Sequence, residues 1–267
     1  MGITGAAQFG FDRRRMSLAI RRLPHHPNLF SEGFRLDAEN ILGIGSRQVV
    51  ALADWLRWSG LAIRDGGATH LTPLGQVLLD YDETLEDRTS WHVIHHMLAA
   101  ERSGATAYWL AFRRTSDLID RDGMLALMRR DEPGRKDRTY EDAYRNLAQV
   151  LANPEMSATA AIVKATESGF ARVANAPVSS ACCAWMLLDW AQGRGLSTVT
   201  LTELCGEDGP ARPFRMSEDY LADLLHQAMD RLADPWLSVS RTAGLDSVAI
   251  LGHPASGDVL RSAYSGR

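Results

Sequence analysis

Hydrophobic positions recur every three to four residues along most of the chain, and short alternating runs interrupt them in only a few places. Met16, Leu18, Ile20 and Leu23, set among arginines, predict a helix over 13–23 that Pro24 and Pro27 stop. A second helix is expected over about 36–42. Gly43 and Gly45 then bracket a sharp turn at Ile44, where positive φ costs little. Ser46 suits the N-cap of the next helix, since its hydroxyl can accept from a backbone N–H in the first turn. The buried face of that helix is expected to carry Val49, Val50, Leu52, Ala53, Trp55 and Leu56, with Gly60 ending it. Strand-like runs at Leu61–Ile63 and Thr69–Leu71 flank Arg64-Asp65-Gly66-Gly67-Ala68, whose Asp-Gly and Gly-Gly pairs signal a hairpin. Thr72 as cap and Pro73 at the first position open a helix through Leu74, Val77 and Leu78. Helix, helix, tight turn, helix, hairpin, helix is the order of a winged helix-turn-helix.

The rest reads as mainly helical. Trp91, Val93, Ile94, Met97 and Leu98 mark one helix, and Tyr108, Trp109, Leu110 and Phe112 another. The charged stretch 129–138, with Pro133-Gly134 inside, is the best linker candidate. Helices are expected at 139–151, 157–168, 178–193 and 217–232, then a hairpin over 237–251 and a last short helix near 259–264. The predicted class is mainly α (α+β). The expected divisions are a winged helix-turn-helix over 1–82, a helical connecting region over 83–135, and a mostly helical domain with a β-hairpin over 136–267.

Length supports more than one compact unit: 267 residues exceed what a single small domain needs. A net charge of −4 excludes a globally basic nucleic-acid coat. The charge is uneven, however. Up to Gly60 the chain has eight arginines against five carboxylates, whereas the remainder is acidic, which puts any DNA-facing surface near the first residues. Cys182, Cys183 and Cys205 form no disulfide framework. With no apolar leader in MGITGAAQFGFDRRRMS and no stretch near 18 apolar residues, a cytoplasmic setting without membrane contact is expected.

A helix that enters a DNA groove reads bases with its N-terminal side chains. Ser46 and Arg47 are candidates for phosphate contacts, and Arg47 or Gln48 for base edges. Arg57 lies farther along the same helix, and Arg64 and His70 can reach an adjacent phosphate from the wing. The cluster Arg13, Arg14 and Arg15 is either a further phosphate contact or a solvated helix face. Winged helices also serve as protein-interaction modules, so the fold by itself does not fix the function. His92 and His96 share a helix face at zinc-like spacing. They lack an HExxH signature and a third ligand, which favours core or surface histidines and no metal site. Adjacent Cys182 and Cys183 in an apolar helix read as inert buried thiols. Glycine-rich phosphate loops are absent, and no cofactor is evident.

Several segments, in order along the chain, resemble the DUF4007 family. They are Phe9-Gly10, then Leu42-Gly43-Ile44-Gly45-Ser46-Arg47-Gln48-Val49 followed by Trp55 or Trp58, then Thr72-Pro73-Leu74-Gly75. Trp91 with His95, the aromatic stretch 105–112 and Thr242-Ala243-Gly244-Leu245 complete the series. The family's lysine after the second glycine is lost or shifted here, where Ser46-Arg47-Gln48 follow Gly45, so its exact phosphate contact is not carried over. The resemblance implies a place in a bacterial DNA phosphorothioate modification system with antiphage function. It implies a chain that nicks DNA so that sulfur can enter, beside a cysteine desulfurase, an ATPase and a sulfur-transfer enzyme. A divalent metal is compatible with such nicking, and a homodimer is left open. Double-stranded DNA is the expected ligand. The alternative is a non-catalytic DNA-binding adaptor or transcriptional regulator that recruits partner enzymes.

Overall fold

The computed structural model describes residues 9–100, 104–231, 236–242, 245–252 and 254–265. It is mostly helical, with three small antiparallel sheets. Helix α1 (Arg13–Arg22) is capped by Asp12, whose Oδ1 accepts from Arg15 N at 2.9 Å. Helix α2 (Arg35–Leu42) stops at Gly43, which adopts the left-handed conformation at φ 64°. Helix α3 (Ser46–Trp58) follows after three residues, Gly43 to Gly45.

Ser46 is not the cap of α3. Gly45 holds that position, and Gln48 reaches back so that its Oε1 accepts from Gly45 N–H at 3.3 Å. The Gly45 carbonyl accepts from Gln48 N and Val49 N, so the first turn closes without a hydroxyl. Val50 also departs from expectation. It is exposed, because Ala51 rather than Val50 joins Val49, Leu52, Trp55 and Leu56 in the buried row.

Strands β1 (Ala62–Asp65) and β2 (Ala68–Leu71) pair with Ala62 opposite Leu71 and Asp65 opposite Ala68. Gly66 and Gly67, at φ 54° and 92°, make the two-residue turn, whose twist requires positive φ at both positions. Helix α4 (Pro73–Tyr81) starts at the predicted Thr72 cap, where Thr72 Oγ1 accepts from Gly75 N at 3.0 Å. The same hydroxyl donates to the Gly60 carbonyl at 2.5 Å, which binds the start of α4 to the end of α3.

Helices α5 (Arg88–Leu98) and α6 (Thr106–Arg113) lead to strand β3 (Leu118–Asp120). Helices α7 (Arg121–Asp131) and α8 (Asp137–Leu151) pack together. The charged stretch 129–138 is the corner between them. Arg129 pairs with Asp137 at 3.0 Å across it, and Tyr140 donates to the Glu132 carbonyl at 2.6 Å.

No long helix forms over 157–168. A single π turn (Glu155–Thr159) is followed by strands β4 (Val163–Thr166) and β5 (Gly169–Arg172). Ala161 sits at φ 53°, which breaks the helical path, and β-branched Val163 then opens the strand. That sheet has the order β3-β5-β4.

Helix α9 (Ser180–Gln192) is buried on nearly every side. Strand β6 (Thr198–Thr200), helices α10 (Leu201–Cys205) and α11 (Glu218–Arg231), strands β7 (Leu237–Thr242) and β8 (Leu245–Ile250) and helix α12 (Ser256–Ser265) complete the described chain. The expected hairpin is β7–β8, and β6 adds a third strand in the order β6-β8-β7. Ala243 and Gly244 of the TAGL motif, and Leu232 at the end of the expected helix, lie outside the described residues. The buried apolar side chains form one cluster, with α12 packed on both α4 and α9.

The glycine in Thr72-Pro73-Leu74-Gly75 has a steric reason. A Cβ there would lie 2.0 Å from the Leu61 carbonyl oxygen, which is fixed backbone. Gly75→Ala is therefore expected to destabilise the protein by about 2 kcal/mol or more, read as a lower denaturation midpoint in urea. A variant as stable as the parent would contradict this packing.

Candidate nucleic-acid interface

The tip of α3 is open. Arg47 is exposed, and Ser46 and Gln48 are half-buried beside it. The first turn of α3 contains no acidic residue, so the positive end of the helix dipole is not neutralised there. Arg57 is exposed on the same helix but pairs with Asp54 at 2.6 Å. Strand β1 packs on α3, and the hairpin carries exposed Arg64 and His70. His70 stands opposite Ile63, which is also exposed, so this face of the hairpin is turned to solvent.

The three arginines of α1 part company. Arg14 is exposed. Arg15 lines an open pocket of about 280 Å³ together with Gln48, Asp12, Phe9, Phe11 and Trp55, so α1 and the tip of α3 share a wall. Arg13 is held elsewhere. Its Nε contacts Glu155 at 3.1 Å, and its Nη1 contacts Glu86 and the Thr84 carbonyl, each at 2.9 Å. Two carboxylates and a carbonyl make Arg13 a tether between α1 and the segments ahead of α5 and after α8. The Arg15–Gln48 neighbourhood was not visible in the sequence, because no local pattern brings residues 15 and 48 together.

The histidines of α5 are buried. His92 Nε2 lies 2.9 Å from the Ala160 carbonyl. His95 Nδ1 is 2.7 Å from the Tyr108 hydroxyl, and its Nε2 is 3.2 Å from the Pro213 carbonyl. His96 Nε2 is 3.4 Å from Asp189. Among the described residues no group of three or more His, Cys, Asp or Glu side chains is placed to hold a metal ion. Cys182 and Cys183 are buried, and burial raises both thiols, that of Cys183 to about 12. Neither is a thiolate at neutral pH, which agrees with inert packing.

Comparison with known proteins bears on this arrangement. Residues 16–143 match the family described as a protein of unknown function, DUF4007. That stretch belongs to DUF4007. It covers α1 through the first part of α8 and therefore holds both the α3 tip and the hairpin. The chain as a whole also shares its fold with two solved structures. One, an SspB crystal structure, has a TM-score of 0.83 at 19% identity, covering 98% of this chain and 87% of that one. The other, a magnesium ion-bound SspB crystal structure, has a TM-score of 0.82 at 18% identity with the same coverage. At such identity the likeness concerns the fold. No curated protein matches the chain in sequence.

The buried histidines give a pH dependence. Burial lowers His92 from 6.5 to about 4, and His95 falls well below its ordinary value for the same reason. The folded state therefore resists protonation that the unfolded chain accepts. Stability is full above about pH 6.5 and declines as pH falls towards 4. His92 alone accounts for a loss on the order of 3 kcal/mol across that window. Urea midpoints measured from pH 7 to pH 4.5 should fall, and His92→Gln should flatten the decline. A midpoint independent of pH over that range would count against neutral, buried histidines.

Proposed function

We propose that α1 to α4 form a winged helix that binds double-stranded DNA, with the N-terminal turn of α3 in the major groove. The observation that carries this reading is the open tip of α3, where Arg47 projects from a helix whose own first turn carries no carboxylate. A guanidinium there can bind guanine O6 and N7 or grip a phosphate. The Gln48 Oε1 is engaged by Gly45, but its amide nitrogen keeps donors for a base edge or a phosphate. Arg64 and His70 on the hairpin, and Arg14 on α1, would supply flanking backbone contacts.

The protein would serve a DNA phosphorothioate modification system in the cytoplasm, nicking one strand so that sulfur can replace a non-bridging oxygen. The DUF4007 match and the fold shared with SspB support this placement. Its partners would be a cysteine desulfurase, an ATPase and a sulfur-transfer enzyme. Nicking needs an in-line nucleophile, a proton for the leaving oxygen and charge stabilisation at phosphorus. One of the two SspB structures is magnesium-bound. The described residues here offer no three-ligand cluster, and no cleavage step is assigned to a metal.

A second reading, a non-catalytic DNA-binding adaptor, is favoured by one observation. Nearly all the strongly displaced titratable groups, among them His92, His95, Tyr108, Cys182 and Cys183, lie in the core rather than at the α3 surface. Supercoiled plasmid distinguishes the two. Conversion to open circle, with or without added Mg²⁺, supports nicking. Intact supercoil with salt-sensitive DNA retention supports the adaptor, and no retention sinks both readings. Arg47→Ala is expected to weaken duplex binding by about 1–3 kcal/mol and to relax sequence preference. Unaltered affinity and preference would remove α3 as the reading element.

A further inference from the structure

Four arginines far apart in sequence, Arg113, Arg172, Arg212 and Arg215, converge around a 3-10 turn at Arg212–Phe214. Arg172 lies at the centre and is buried. Its Nη1 donates to the Thr115 carbonyl at 2.6 Å, and its Nη2 to the carbonyls of Arg212 and Pro213 at 2.8 and 3.1 Å. Arg212 Nη2 reaches the same Thr115 carbonyl at 3.4 Å, so two guanidinium groups share one neutral oxygen. Arg215 Nη1 donates to the Arg172 carbonyl at 2.7 Å. Buried Arg113 donates to the carbonyls of Ala99 and Gly209.

Carboxylates are few at this place. Asp117 pairs with Arg215 and is itself largely exposed, and Asp208 acts on Arg113 from the surface. Burial and the neighbouring arginines lower Arg172 to about 9 and Arg113 to about 10, so both stay cationic at neutral pH. The cluster therefore concentrates positive charge that its own carboxylates only partly offset.

Stitching of backbone carbonyls explains Arg113 and the terminal nitrogens of Arg172, although the buried Arg172 Nε also finds no acceptor among the described residues. Such stitching does not explain Arg212. That side chain makes a single long hydrogen bond, and its buried Nε finds no acceptor among the described residues. Arg215 adds a second oddity, since a non-glycine residue at φ 49°, ψ 40° is uncommon and needs its surroundings to hold it. Arg212 and Arg215 are half-buried and reach solvent, whereas Arg172 closes the cluster from beneath.

We propose that Arg212 and Arg215, backed by Arg172, form a binding site for a phosphoryl oxyanion, and that the Asp117 carboxylate occupies Arg215 until such an anion displaces it. Planar guanidinium groups match phosphate oxygens in pairs, and a phosphoryl group offers the acceptors that Arg212 lacks. The source is either the backbone of a nucleic acid or a free phosphate anion. Only the first alternative rests on the DNA reading above.

The test uses the whole chain with inorganic phosphate and pyrophosphate in calorimetric titrations, and a 20-base-pair duplex bound at several salt concentrations. Arg212→Gln keeps the Arg212 carbonyl that Arg172 needs, so the fold is retained. This variant is expected to weaken phosphate or pyrophosphate binding about tenfold, and Asp117→Asn to strengthen it by a similar factor. If the nucleic-acid backbone is the source, Arg212→Gln also reduces the slope of log affinity against log salt by about 1. An unchanged slope with weakened pyrophosphate binding assigns the site to a free anion. Phosphate binding by a parent chain that retains no DNA defeats the DNA reading and leaves the site standing. The proposal is overturned if neither anion binds the parent or Asp117→Asn and the salt slope of Arg212→Gln equals that of the parent.

Discussion

A helix buried on all sides keeps its polar side chains only if each finds a partner in the interior, and α5 is built under that constraint. Ser90 sits between Asp82 at 2.5 Å and the Tyr264 hydroxyl at 2.8 Å. Trp91 donates to the Leu85 carbonyl at 2.8 Å and packs against Phe11. The histidines reach the π turn, α6, the loop at Pro213 and α9. Segments from near the start of the described chain to α12 are thus fixed by one helix of 11 residues. Burial favours the neutral imidazoles of His92 and His95, which ties this part of the interior to pH.

The same anchoring sets what α3 can do. Trp55 packs edge-on against Phe11 at 5.2 Å and donates to the Phe9 carbonyl at 2.8 Å. Phe11 in turn lies against Trp91 of α5. The middle of α3 is therefore joined to the core through a short aromatic chain, while Arg47 in its first turn projects to solvent. A rigid base with a free tip suits insertion into a groove, because no ordering of the helix is left to be done on binding.

Local chemistry made the first 82 residues readable. Pro73 after Thr72, glycines at 66 and 67, and Gly43 after an apolar run each dictate backbone geometry within a few residues. What the sequence hid was non-local. Leu118–Asp120 is only three residues long and becomes a strand through its pairing with Gly169–Ala171. The alanines at 158, 160 and 161 favour a helix, yet the sheet and a left-handed Ala161 override them. Ser46 lost the cap because Gln48 could do part of the same task from inside the helix. At the candidate site, exposed Arg47 was legible, but the commitment of Arg13 to Glu155 and Glu86 was not. The cluster of Arg113, Arg172, Arg212 and Arg215 likewise had no trace in spacing, since about a hundred residues separate its ends.

Helix α12 lies across α4 as well as α9, with Tyr264 stacked on Tyr81 at 5.7 Å and Gly257 facing Val77. Helix α4 carries the Gly75 contact that seats the hairpin. The unit that holds the α3 tip is therefore not finished when the ribosome has made its own residues. Its outer flank stays uncovered until residues 256–265 emerge and close over it, so nascent chains would hold an apolar surface in need of shielding throughout most of translation.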